Sequence, residues 1–192
     1  MRKISTVLAI SLAAALAGPS QAAVLTWGAS LSGSQENPPN LATATGFGTV
    51  RFDNLTNVLA LDLQWQGLSG SAVAAHIHCC ALVPLGNAGV VLGLWSSPNP
   101  ATGSYSALFD LDLVNPFTVG FTGANGGTAL GAMQALIVAM DAGAGRAYFN
   151  IHTAQFPGGE IRGNLSVPEP ATLSLLAGAL GLLVAGRQFT RS

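Results

Sequence analysis

Charge is what this chain has least of. Charged residues make up 8% of its 192 positions, against the quarter usual in soluble domains. Between positions 23 and 167 there is no lysine, and the basic residues are Arg51, Arg146 and Arg162. Glu36, Asp53, Asp62, Asp110, Asp112, Asp141 and Glu160 outnumber them. A nucleic-acid binder needs a basic face to displace counterions from phosphates, and this segment has none. Cysteine is equally scarce. Cys79 and Cys80 are the only two, so the fold must be held by a hydrophobic core rather than a disulfide framework. The usual catalytic signatures are missing too. Gly67-Leu68-Ser69-Gly70-Ser71 falls one position short of a nucleophile elbow. The glycine-rich stretch 123–131 lacks the lysine of a phosphate loop. No catalytic residue is assigned, and the chain is expected not to be an enzyme.

Hydrophobic residues, by contrast, reach 49%, and part of that excess sits at the ends. Met1-Arg2-Lys3 is followed by an apolar run over 7–17 and by the small residues of Ser20-Gln21-Ala22. This is the layout of a secretory signal peptide, residues 1–22, and the run is too short to span a bilayer. At the other end Pro168-Glu169-Pro170 precedes an apolar stretch over 171–186, then Arg187 and Arg191. As a helix that stretch is about 24 Å long, marginal for a membrane crossing. The segment 168–192 resembles a PEP-CTERM sorting signal, with its Pro-Glu-Pro triplet, apolar transmembrane helix and basic tail. The resemblance implies an exported protein of a Gram-negative bacterium with an exopolysaccharide-rich surface. Signal peptidase and an exosortase would be processing partners, and the destination would be the cell envelope, surface or extracellular matrix.

The middle, 23–167, is about 145 residues, enough for one domain. Alternating apolar and polar residues predict strands over 24–31, 43–52, 58–68, 73–79, 90–95, 105–113, 146–152 and 160–167. The clearest is 58–68, with Leu59, Leu61, Leu63 and Trp65 on one side and Asp62, Gln64 and Gln66 on the other. Asp53-Asn54-Leu55-Thr56-Asn57 is turn chemistry and predicts a hairpin. Residues 130–141 form the one helix candidate, with Met133, Leu136, Ile137 and Met140 at helical spacing. Residues 32–40, 82–89 and 115–128 read as loops. About eight short strands with frequent turns predict an all-β fold: an immunoglobulin-like or Greek-key antiparallel β-sandwich with one short helix.

All three histidines fall in two of these strands. His76 and His78 flank Ile77 and point to one face, away from the core. Asn150 and His152 share a side in a later strand, as do Glu160 and Arg162 in the last. If these strands lie together, one face collects three imidazoles, a carboxylate, a guanidinium and an amide. Three neutral histidines suit copper or zinc, with Glu160 accepting a ring N–H and Asn150 and Arg162 in the surrounding network. The same residues can instead form a hydrogen-bonded network that locks strands together. Cys79 and Cys80 can close on each other, bridge to another chain, stay as thiols, or act as soft copper ligands.

Several of these motifs together resemble the CHRD (chordin-type) domain. They are Leu31-Ser32-Gly33-Ser34-Gln35-Glu36-Asn37-Pro38-Pro39, Ala75-His76-Ile77-His78, Asn150-Ile151-His152-Thr153 and Pro157-Gly158-Gly159-Glu160-Ile161-Arg162-Gly163-Asn164-Leu165. The sequence departs from that pattern after the second histidine, where such domains often carry Gly-Pro and Cys79-Cys80 stands here. The resemblance implies a β-sandwich with an extracellular binding or structural role, with exopolysaccharide or envelope proteins as partners. The His-x-His strand also resembles that of Cu/Zn superoxide dismutase, which makes a copper- or zinc-binding metalloprotein, or a metal-dependent redox enzyme, the alternative.

Overall fold

The computed structural model describes residues 23–95 and 98–168. The signal peptide expected over 1–22, and the part of the expected sorting signal beyond Pro168, lie outside the described residues. Among the described residues no helix is long and apolar enough to cross a membrane.

Eight strands form, all paired antiparallel. They are β1 (Val24–Ser32), β2 (Thr45–Asp53), β3 (Val58–Gln66), β4 (Ala72–Cys79), β5 (Val90–Gly93), β6 (Gly103–Asp110), β7 (Ala147–Thr153) and β8 (Ile161–Asn164). Their order is β5-β4-β7-β8-β1-β2-β3-β6. The strands therefore make one continuous sheet rather than two separate ones. Its weak seam is β1–β8, where the pairing is Ser32 with Arg162, joined by an isolated bridge between Gly28 and Ser166. The sheet curls there, and its two halves face each other like a sandwich. A Cβ on Gly48 of β2 would lie 2.6 Å from the Phe149 ring of β7, a strand three places away in the sheet.

The alternation along each strand sorts its side chains. Trp27, Leu31, Val50, Leu59, Leu61, Leu63, Ile77, Phe149, Ile151 and Ile161 turn inward to a common core. The turn after β2 forms because the Asp53 carboxylate accepts the backbone N–H groups of Leu55 and Thr56. The main helix, α2 (Ala129–Asp141), starts where the Thr128 hydroxyl accepts the Gly131 N–H. It buries Ala132, Met133, Leu136 and Met140, and at its end Asp141 accepts the Trp27 indole N–H of β1 at 2.8 Å. A second helix, α1 (Val119–Ala124), stands where the sequence reads as loop. Four glycines in the stretch 115–128 hide its weak pattern, and Phe117 beside it bridges to Leu92 of β5.

β7 is the strand that organises the site. It runs between β4 and β8, and every residue but His152 is buried. Its inner face meets the core. Its outer face is polar and lies under two loops, 33–40 and 83–88, whose side chains and carbonyls reach down to it.

Candidate metal centre

The register of β4 and β7 sets the geometry. His76 pairs with Asn150, Ala74 with His152, and His78 with Tyr148. Period two puts all of these on the outer face, opposite Ile77 and Phe149. His152 is then diagonal to His76, and the three rings converge. One ligand atom from each of His76, His78 and His152 lies within 4.8 Å of the others. Among the described residues this is the one such group of three or more. Two metal–nitrogen bonds of about 2.0–2.1 Å span at most about 4.2 Å, so the spacing of the set is close to what a single ion would need.

The hydrogen bonds dictate the tautomers. His78 Nδ1–H donates to the Ala88 carbonyl at 2.8 Å, and His152 Nδ1–H donates to the Pro157 carbonyl at 2.9 Å. A carbonyl only accepts, so both rings keep a lone pair on Nε2. His152 Nε2 lies 3.1 Å from His76 Nδ1 and so accepts its proton. His78 Nε2 is buried with no partner. Electrostatics agree with this picture. Burial, then the neighbouring His152 and His78, holds His76 down at about 4. Burial also lowers His78 and His152, against the pull of the carbonyls they bond. The imidazoles are neutral at pH 7, the form that ligates metal.

The rest of the polar face supports this triad. Tyr148 is sandwiched between His78, stacked at 4.8 Å between ring centroids, and the Arg162 guanidinium, 3.5 Å from the ring centroid. Its hydroxyl accepts the N–H of Ala88, the residue whose carbonyl fixes His78. Arg162 is fully buried and donates to Asn164 Oδ1, Asn87 Oδ1 and the carbonyls of Gly86 and Gly145. It thereby ties loop 83–88 to β8. Asn150 donates from Nδ2 to Glu36 Oε1 at 2.7 Å.

One residue, Glu160, sits differently from the sequence expectation. Glu160 does not accept a ring N–H. Its carboxylate takes the Ser69 N–H and the hydroxyls of Ser69 and Thr153. The backbone turns at Gly159, with φ +130°, before β8 begins at Ile161, so Glu160 falls out of the strand's alternation. The ring N–H groups of His78 and His152 go to backbone carbonyls and that of His76 to His152, and the carboxylate of this layer is Glu36. The motif around Glu36 was visible in the sequence, but its reach across 114 residues to Asn150 was not. Cys79 and Cys80 are joined to each other by a disulfide. Cys79 faces the core, opposite the histidines, so neither sulfur belongs to the cluster.

Gly159 is confined by this arrangement. A Cβ there would collide with Asn150 Nδ2 and lie 2.6 Å from Glu36 Oε1, on a backbone conformation that L-residues rarely adopt. Gly159→Ala is expected to lose about 2–4 kcal/mol of folding stability in urea unfolding. A loss under about 0.5 kcal/mol would show that the layer yields freely.

An antiparallel, curled β-domain with a trihistidine face is thus the class that fold and site define. The chain belongs to the CHRD domain family, whose model matches residues 27–165. No curated protein and no solved structure matches it.

Proposed function

We propose that this chain is an exported, surface-sorted CHRD module that binds one copper or zinc ion through His76, His78 and His152. The observation that carries the reading is the convergence of three neutral imidazoles, two of them with the second nitrogen held by a backbone carbonyl. That is how protein frameworks orient metal-bound histidines. The role is binding rather than catalysis: the ion ties β4 to β7 and stiffens an envelope or matrix module. Export follows from the signal-peptide layout over 1–22. Delivery by exosortase follows from Pro168-Glu169-Pro170, the apolar run and the basic tail. Copper chemistry of the dismutase type is the second reading, favoured by the His-x-His strand, and a superoxide assay on copper-loaded protein tests it.

The test is calorimetric titration of the untagged protein with Zn²⁺ and Cu²⁺, alongside His76→Ala, His78→Ala and His152→Ala. One tight equivalent is expected, weakened about 100-fold or more in each variant, beyond the 10–100-fold of supporting residues. No uptake by the wild type, or uptake indifferent to all three substitutions, sinks the reading.

A further inference from the structure

We infer that Asn150 Oδ1 completes this site as its fourth donor, making it a three-nitrogen, one-oxygen centre for a divalent ion. The inference rests on the trihistidine reading and goes further by naming the ligand that closes the coordination sphere. In the strand register Asn150 borders every histidine. It stands directly opposite His76, two residues before His152 on the same face, and diagonal to His78, which pairs with Tyr148. Directly opposed side chains in an antiparallel pair have Cβ atoms about 4.5–5.5 Å apart.

Asn150 is also turned the right way. Its side chain is 3% exposed. Its Nδ2 donates to Glu36 Oε1 at 2.7 Å, which holds the amide nitrogen on that side. Oδ1 is left facing away from Glu36, buried and without a partner. A buried amide oxygen left unbonded costs about 1–3 kcal/mol, and such groups call for an explanation. His78 Nε2, on the same face, is buried and unbonded as well. Both atoms are lone-pair donors with no proton to give, and a cation satisfies both at once. An oxygen beside three imidazoles suits zinc or copper(II) more than copper(I), which prefers softer donors.

The experiment titrates the full-length protein and two variants, Asn150→Leu and Asn150→Asp, with Zn²⁺, and with Co²⁺ as a spectroscopic substitute. Leucine removes the oxygen and is expected to weaken Zn²⁺ binding at least about 10-fold and to change the visible cobalt bands. Aspartate restores an oxygen with added negative charge and is expected to tighten Zn²⁺ binding. Should the leucine variant not fold, the aspartate variant decides, and zinc affinity no higher than wild type overturns the inference. Wild-type affinity and cobalt bands in both variants also overturn it, leaving Asn150 and His78 bridged by a water. Absence of Zn²⁺ binding by the wild type itself is a different result: it removes the trihistidine site, and the fourth donor with it.

Discussion

Replacing Arg162 by leucine is expected to cost about 3–5 kcal/mol of stability, from the orphaned carbonyls and the lost cation–π contact together. Arg162 is fully exposed to protein and not at all to water, yet no carboxylate hydrogen-bonds it. Its planar fork instead serves four oxygen acceptors in three separate segments: Asn164, the Gly86–Asn87 loop and Gly145. Leucine fills much of the volume but strands the carbonyls of Gly86 and Gly145 in a dry layer. It also uncovers one face of Tyr148. The effect should extend to the histidine cluster, because the loop that Arg162 anchors carries Ala88, and Ala88 holds both Tyr148 and His78. Arg162→Lys keeps the charge but is a single point donor, so it should recover little. Urea midpoints of the two variants check this. A leucine variant within about 1 kcal/mol of wild type would mean that water replaces the guanidinium at all four acceptors.

How far the sequence foretells this site depends on what kind of information each residue carries. The alternation of Leu59, Leu61, Leu63 and Trp65 fixes an inward face locally, so the strands are legible from their own residues. His76 and His78 are legible for the same reason: Ile77 between them has to point inward. That His152 joins them depends on β7 pairing with β4 in a register that sets Ala74 against it, which no local pattern states. Alternation also stops at strand ends. Glu160 stands one residue before β8, after a glycine in a positive-φ conformation, and leaves the histidine face for Ser69 and Thr153. Nor does period two say what covers a polar face. Loops 33–40 and 83–88 supply Glu36, Asn87 and the Gly86 and Ala88 carbonyls. In the sequence they look like mere connections, because turn residues announce only where a chain bends. The helix α1 was hidden in the same way, its single turn and a half diluted by glycine.

Glu36→Gln is expected to make the metal-free protein more stable at pH 8 and to leave it unchanged at pH 4. Burial raises the Glu36 carboxyl from 4.5 to about 7, while Arg162 and the Asn150 amide pull it back only in part. A carboxyl raised on folding holds its proton more tightly in the native state. Its favourable contribution is present below the ordinary value of 4.5 and is lost as pH rises through about 7. Glutamine carries no charge to bury, and its side-chain carbonyl still accepts the Asn150 N–H. The difference between the two proteins should therefore grow from near zero below pH 4.5 to a plateau above pH 7. Discounted for partial solvent screening, the plateau is roughly 1–2 kcal/mol. The histidines act in the opposite sense. His76, held at about 4, favours the neutral native form and weakens the fold as pH falls below 6.5. That loss is common to both proteins, so subtracting one stability curve from the other isolates Glu36. A variant less stable than wild type at pH 8 would mean that the attraction between Glu36 and Arg162 outweighs the burial of the carboxylate. The layer over β7 would then be held by charge rather than by its hydrogen bonds.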